Sequence, residues 1–225
     1  MTQSKIPSKP YWKGQKPVAK LLLNKLKKNS DILEIGIGQG GLIKYLLQKQ
    51  PKLNLTGFDI NKSVLKKTQN LLKKICHGKY RLIKLSQDAN LVKYFGRDKF
   101  DFVISCGSFD YSKNPDKIVF YVKQMLKPGG YFAFTLFDNR SSGDYDGISP
   151  KQRYISTAGI KTWGYRDFYI KKLLKKLNFQ ICSMSLEKKV YRNSSGELSH
   201  NEIKAIKKNL DHPYDDHFII LVRKR

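Results

Sequence analysis

A glycine turn holds the first residues of this sequence whose types and spacing could do chemistry. Gly36, Gly38, Gly40 and Gly41 follow Glu34 and an apolar run. Glycine has no side chain, so the backbone N–H groups of such a turn can approach a ligand closely. The spacing of Gly36, Gly38 and Gly41 matches the dinucleotide fingerprint, whereas that of Gly36, Gly38 and Gly40 is G-x-G-x-G. The turn by itself therefore leaves the ligand class open.

Acidic residues follow the ends of later apolar runs. Asp59 lies 25 residues after Glu34, at the end of the run that begins at Leu53. A carboxylate at the tip of a strand in this position can accept hydrogen bonds from ribose hydroxyls. It could also cap the following helix, but Asn61 and Ser63 are available for that purpose. The ribose role is therefore the favoured interpretation.

The elements that must position these residues alternate between strand and helix up to residue 137. Short apolar runs predict strands at 31–35, 53–60, 80–86, 100–105 and 131–137, with apolar positions at helical spacing between them. This alternation predicts an α/β fold, a doubly wound, mostly parallel sheet with helices on both faces. Its ligand crevice should lie at the carboxyl ends of the strands. Residues at those ends are Glu34, Asp59, Asp88, Ser105 and Asp138.

Two late strands are predicted at 179–190 and 217–222, with a turn and a short helix between them at 193–210. No long helix follows, which favours an antiparallel edge on the sheet. The whole chain, 1–225, reads as a single domain, since its length suits one sizeable core.

The segment 138–163 breaks the alternation, because it is long, polar and rich in glycine at its start. Connections of this length in compact domains are usually functional or disordered. Because it leaves the carboxyl end of the fifth strand, we predict a substrate lid in which Asp138, Tyr154 and Trp163 contact the substrate. Its aromatic residues could grip an apolar or a cationic molecule. The leader 1–16, with Tyr11 and Trp12, is predicted to be either a latch on the core or a second lid.

Composition excludes several classes of protein. No apolar run approaches the roughly 20 residues that span a bilayer, and the N-terminus lacks the features of a secretory signal. Three cysteines without a C-x-x-C pair indicate a reducing, cytoplasmic setting and no zinc or other metal site.

The formal charge of +26 raises the question of a nucleic-acid partner. However, 36 of the 44 basic residues are lysines, and they are spread along the chain. Arginine is the residue that phosphate forks and base readout favour. A lysine-rich background composition therefore explains the charge better than an RNA-binding surface, although RNA stays open as a partner.

Five stretches in this order resemble the class I, seven-stranded, S-adenosylmethionine-dependent methyltransferases. They are 32–40, Gly57-Phe58-Asp59, Asp88-Ala89, 100–105 and 126–131. The resemblance covers 31–137 closely and 163–222 more loosely. It implies a seven-stranded sheet with a reversed last strand and S-adenosylmethionine as cofactor. The dinucleotide alternative loses ground because it requires neither Asp88-Ala89 nor the Lys-Pro-Gly-Gly turn.

The resemblance also implies roles for the residues of the glycine turn and the second strand. Gly36, Gly38 and Gly40 would bring the backbone close to the methionyl part of the cofactor. Glu34 would lie beneath the turn and organise it. Asp59 would hold the ribose hydroxyls.

The same resemblance places the adenine and the transferred methyl. Ile60 would pack on the adenine, Asp88 would accept from its amino group, and the Ala89 backbone would lie beside it. Ser105, at the tip of the fourth strand, would lie near the methyl together with Cys106.

A methyl on a sulfonium is already activated, so the protein has to align a nucleophile and exclude water. Asp110 and Tyr111 are the candidate bases, with helix capping and packing as their ordinary alternatives, and Asp138 and His217 are further candidates. The tip of the fourth strand lacks an Asn/Asp-Pro-Pro-Tyr/Phe pattern, which favours a small-molecule or lipid-like acceptor. An RNA methyltransferase and a non-catalytic S-adenosylmethionine-binding partner protein are the alternatives.

Overall fold

The computed structural model describes residues 15–139, 149–155, 161–187 and 217–225. Its strands are β1 (Asp31–Ile35), β2 (Asn54–Asp59), β3 (Tyr80–Lys84), β4 (Phe100–Ser105), β5 (Leu126–Asp138), β6 (Lys151–Ile155), β7 (Lys161–Tyr165), β8 (Phe179–Glu187) and β9 (His217–Lys224). Its α-helices are α1 (Gln15–Leu23), α2 (Gly41–Lys49), α3 (Lys62–Ile75), α4 (Leu91–Phe95), α5 (Pro115–Met125) and α6 (Asp167–Lys176), and a 3₁₀ turn covers Phe109–Tyr111. The predicted leader contacts of Tyr11 and Trp12 and the helix predicted within 193–210 lie outside the described residues.

Helix starts follow from local capping. The Asn61 side chain accepts hydrogen bonds from the backbone N–H groups of Ser63 and Val64 and so begins α3. Asn114 accepts from Lys117 N–H at the start of α5, where Pro115 occupies the first helical position. In both cases an asparagine supplies the cap, which leaves the neighbouring aspartates available for other contacts.

The sheet confirms the predicted doubly wound, mostly parallel architecture. Strands β1 to β5 run parallel in the order β3-β2-β1-β4-β5, and β9 lies antiparallel between β5 and β8. These seven strands form the predicted sheet with its reversed last strand. One apolar cluster packs on each face, and α1, α2 and α3 cover one of them.

The predicted lid segment contributes two further strands. β6 and β7 form an antiparallel hairpin, and β7 pairs in parallel with the end of β5 at Phe137 and Asp138. Phe137 also pairs with His217 of β9, so the hairpin must lie on the opposite side of β5. The described sheet therefore has nine strands where the sequence predicted seven.

None of the helices in the described ranges combines the length and the apolar character that crossing a bilayer requires.

Candidate functional site

A cavity of about 520 Å³ lies at the carboxyl ends of β1, β2, β3 and β4. Its walls come from the glycine turn 36–38, from the end of β2 at 58–60, and from the segments 85–88 and 106–108, which follow β3 and β4. The side chains of Gln15, Glu34 and Tyr111 complete the lining. This is the edge at which the alternation of strands and helices predicted a ligand crevice, and the volume suits a small-molecule ligand.

The glycine turn adopts a backbone that other residues resist. Gly36, Gly38 and Gly40 have φ angles of 66°, 54° and 75°, in the left-handed region. A Cβ on Gly36 would also collide with the Ser108 hydroxyl. Gly41 begins α2 without a positive φ. The left-handed set is therefore G-x-G-x-G, one of the two spacings that the sequence left open.

The Gly38 peptide is held from both sides. Its N–H donates to Asp59 Oδ2 at 3.0 Å, and its carbonyl accepts from Thr68 Oγ1 at 2.6 Å. Thr68 lies on α3 and is fully buried. The turn is therefore preorganised by contacts with β2 and α3, and sequence reasoning missed the threonine because no spacing rule links it to the glycines.

Asp59 lines the cavity at the end of β2. Its second oxygen, Oδ1, accepts from the Asn61 N–H at 2.9 Å. Each carboxylate oxygen can accept more than one hydrogen bond, so both retain capacity toward the cavity. Beside it, the Ile60 side chain is 68% exposed and forms an apolar lip.

Glu34 is buried in the cavity wall, and its Oε2 has no hydrogen-bond partner among the described residues. Burial raises its pKa well above the ordinary value, and the nearby Asp59 raises it further. The described residues show no hydrogen bond from Glu34 to the glycine turn beneath which it was predicted to lie. A buried carboxylate oxygen without a partner is an acceptor for a ligand.

The residues after β3 and β4 divide into those that line the cavity and those that do not. Asp88 lines it, and the Lys113 N–H donates to Asp88 Oδ1 at 2.8 Å. The N–H of Ala89 donates to Ser86 in a turn, and Ala89 is not among the lining residues. Ser105 is fully buried beneath the cavity, because it still pairs within the sheet.

Ser108 lines the cavity beyond the end of β4, and a reciprocal pair of hydrogen bonds with Gln87 holds it there. Its hydroxyl donates to Gln87 Oε1 at 3.1 Å, while Gln87 Nε2 donates to the Ser108 carbonyl at 3.2 Å. The pair joins the loops after β3 and β4 across the cavity. Like Gln15, it carries no motif that the sequence could have revealed.

The two candidate bases lie in different surroundings. Tyr111 lines the cavity, is 40% exposed, and packs edge-on against Phe137 at 6.3 Å between ring centroids. Asp110 is fully buried and is not a lining residue. Its charge helps burial to raise the pKa of Tyr165 on β7, so the two side chains are close. The capping alternative for Asp110 fails, because Asn114 caps α5.

Of the three residues predicted to contact the substrate, Asp138 and Trp163 are not among the lining residues of the cavity. Asp138 is buried at the end of β5, paired in register with Tyr165. The Trp163 indole N–H donates to the carbonyl of Ser112 at 3.0 Å. The side chain of Tyr154 lies outside the described residues.

The charge of the cavity is opposite to that of the chain. Glu34, Asp59 and Asp88 line it, and its described lining contains no Lys, Arg or His. The chain as a whole carries a formal charge of +26. The pyrophosphate of a dinucleotide would meet the carboxylates of Asp59 and Asp88 and the buried acid Glu34 here, and no fixed cation, which disfavours that ligand and favours a cationic one.

Three comparisons extend this picture. The family model for a methyltransferase domain matches residues 33–132. Malonyl-[acyl-carrier protein] O-methyltransferase of Paenibacillus sp. (strain JDR-2) is 26% identical over 106 residues, which are 47% of this chain and 38% of that protein. Its counterpart in Calditerrivibrio nitroreducens is 33% identical over 129 residues, 55% of this chain and 46% of that one. The chain thus aligns with less than half the length of these relatives.

A solved structure covers far more of the chain. The 1,6-didemethyltoxoflavin-N1-methyltransferase of Burkholderia thailandensis, with bound 1,6-didemethyltoxoflavin and S-adenosylhomocysteine, gives a TM-score of 0.66. The match covers 94% of this chain and 78% of that one at 16% identity, which establishes a shared fold. Residues 33–132 therefore match the model of a methyltransferase domain, and the chain has the fold of the Rossmann-like methyltransferases.

Proposed function

We propose that this chain binds S-adenosylmethionine in the cavity at the glycine turn and transfers its methyl group to a small-molecule or lipid-like acceptor. The observation that carries the proposal is the acidic lining of the cavity on a strongly basic chain. S-adenosylmethionine carries a sulfonium, an ammonium and one carboxylate, so its net charge is positive, and it has no phosphate. It is a ligand whose charges this lining complements.

The lining residues divide the cofactor between them. Asp59 accepts from the ribose hydroxyls, with the capacity left by its bonds to Gly38 and Asn61. Glu34 offers the ammonium group its buried Oε2, which has no partner among the described residues. Asp88 accepts from the adenine amino group, and Ile60 covers one face of the base.

The cofactor supplies an activated methyl, so the chain need only exclude water and align the acceptor. Tyr111 is the candidate base that lines the cavity, whereas its sequence neighbour Asp110 is fully buried and does not line it. The acceptor enters from the side of Tyr111 and the β6–β7 hairpin, where Asp138, Tyr154 and Trp163 are its proposed contacts. The curated relatives are named for methylation of an acyl-carrier-protein-bound malonyl group, which supports a small or lipid-like acceptor.

Calorimetry with S-adenosylhomocysteine tests cofactor binding. Hydrogen bonds to a charged acceptor contribute about 1.5–3 kcal/mol, so Asp59→Asn should weaken binding by about 10- to 150-fold. Asp98→Asn is the matched control, since it removes one carboxylate whose partner is Lys224, outside the cavity lining. Equal affinities for wild type and Asp59→Asn, or tighter binding of NAD⁺ than of S-adenosylhomocysteine, would contradict the proposal.

Methyl transfer needs its own assay. With S-adenosylmethionine and fractionated metabolite and lipid pools, mass spectrometry should detect an acceptor product 14 mass units heavier and S-adenosylhomocysteine in equal amount. Binding without turnover in any pool would favour the non-catalytic alternative. Turnover restricted to RNA and lost steeply with added salt would favour the nucleic-acid alternative.

A further inference from the structure

Lys151 of β6 lies in a cage of aromatic rings. Its Nζ is 4.4 Å from the ring centroid of Trp163, 5.8 Å from that of Tyr165 and 5.9 Å from that of Tyr169. The Asp116 carboxylate closes the cage, with Oδ2 at 2.9 Å from Nζ. Only 16% of the lysine side chain is exposed. Three rings and one carboxylate around an ammonium form an arrangement that recognises positive charge.

The cage binds a positive charge while accepting few hydrogen bonds from it. Among the described residues, the Lys151 ammonium donates one hydrogen bond, to Asp116 Oδ2. That oxygen also accepts from the Tyr169 hydroxyl at 2.6 Å, which orients the carboxylate. Ring faces and a carboxylate suit an ammonium whose hydrogens are replaced by methyl groups as well as they suit a lysine.

Polar atoms beside the lysine are buried without partners. Asp116 Oδ1 and the Tyr165 hydroxyl have no hydrogen-bond partner in the described part of the chain. Tyr165 is 1% exposed. Buried polar atoms are normally satisfied, so the surroundings of Lys151 can accept more than the lysine supplies.

The cage adjoins the cofactor cavity. The Trp163 indole N–H donates to the Ser112 carbonyl, one residue after Tyr111, which lines that cavity. Lys151 itself stands on β6, which pairs with β7 and is the last strand on its side of the sheet. An edge strand can move away from the sheet without disturbing the parallel strands that hold the cavity.

We propose that this cage, formed by Asp116, Trp163, Tyr165 and Tyr169, is the subsite for a methylated ammonium group on the acceptor, and that Lys151 occupies it until the acceptor arrives. The inference rests on the proposed methyltransferase function, because it names the class of acceptor. From the aromatic residues of segment 138–163 we predicted an apolar or a cationic substrate, and the proposed subsite favours the cationic one.

Binding of choline tests the subsite, with 3,3-dimethyl-1-butanol as the neutral molecule of the same shape. Measured by calorimetry without cofactor, Lys151→Ala should bind choline about tenfold or more tightly than the alcohol. Lys151→Met is the matched control, since its uncharged chain still fills the cage and should leave choline binding weak. Adding Asp116→Asn to Lys151→Ala should remove the preference for choline. Equal affinities for choline and the alcohol in Lys151→Ala would overturn the subsite.

The wild-type chain provides a measurement that does not depend on a variant. Acetylation of Lys151 by an amine-reactive ester, followed by mass spectrometry, should be slow and should accelerate with choline and not with the alcohol. If Lys151 only fastens the hairpin to α5, choline will leave its acetylation rate unchanged, which refutes the proposal. S-adenosylhomocysteine affinity is measured separately on each variant. Normal affinity with no preference for choline refutes the cage alone, and absent affinity in wild type refutes the cofactor proposal alone.

Discussion

Thr68 offers the sharpest test of how the glycine turn is preorganised. Its buried hydroxyl donates to the Gly38 carbonyl at 2.6 Å, and its methyl group is the closest neighbour, at 3.1 Å, of a Cβ placed on Gly40. Thr68→Val keeps the shape and removes the hydroxyl. The half-buried Gly38 carbonyl then loses its partner; an unsatisfied buried polar group costs about 1–3 kcal/mol, and the partial exposure puts this loss in the lower half of that range. For a chain of this size, about 2 kcal/mol lowers the thermal midpoint by about 4–8 °C.

The affinity for the cofactor shows whether Thr68 acts by positioning the glycine turn or only by packing. Since the turn must be ordered to bind, Thr68→Val should also weaken S-adenosylhomocysteine by about tenfold, which corresponds to about 1.4 kcal/mol. Thr68→Ser keeps the hydroxyl and loses the methyl, so it should lower the thermal midpoint and leave the affinity near that of wild type. Calorimetry and thermal unfolding on the three proteins decide the matter. If valine and serine weaken the cofactor equally, the hydrogen bond to Gly38 does not preorganise the site.

Two further predictions concern the same turn. Gly36→Ala places a methyl against the Ser108 hydroxyl at a φ of 66°. Gly36→Ala should abolish measurable S-adenosylhomocysteine binding. Adding Ser108→Gly removes the collision but should restore binding only in part, because alanine in the left-handed conformation still costs about 1–2 kcal/mol. Full recovery of binding in calorimetry would refute the strain argument. Burial, and to a lesser extent the charge of Asp59, raise the pKa of Glu34 above its ordinary value of 4.5. The native state therefore keeps a proton that the unfolded chain releases. As a result, the free energy of unfolding falls as the pH rises from 4.5 through the raised pKa. Glu34→Gln should therefore gain in thermal midpoint over wild type across that window, by about 3–5 °C for each unit of elevation, and a gain independent of pH would contradict the assignment.

The glycine turn and the strand tips could be predicted from sequence because their signals are local. Left-handed backbone at Gly36, Gly38 and Gly40 requires glycine, and a carboxylate at the end of a parallel strand has to face the crevice. Asp59 follows that rule. Ser105, predicted as a cofactor contact, is not among the residues that line the cavity, because it is still paired on both sides, with Ile35 and Phe134.

The remaining parts of the site arise from contacts between distant elements. Gln87 and Ser108 meet across two loops, and Gln15 reaches the cavity from α1. The aromatic cage draws on α5, β6, β7 and α6, which only the folded sheet brings together. The β6–β7 hairpin itself was predicted as an irregular lid, because its two strands are five residues each and lack a clear apolar face.

Net charge and local charge act at different ranges in this molecule. Lysines on the helix surfaces are largely screened beyond about 8 Å at physiological salt, so they govern solubility and non-specific association. Glu34 and Asp59 line a partly buried cavity, where salt screens their interaction with a ligand much less. A cationic cofactor can therefore bind to a chain of charge +26. The proposed ammonium subsite would place a second cation near the cationic cofactor. The buried Asp110 is adjacent to Tyr111 in sequence and close to Tyr165. A negative charge at this position would offset the repulsion between the cofactor and the ammonium group of the acceptor.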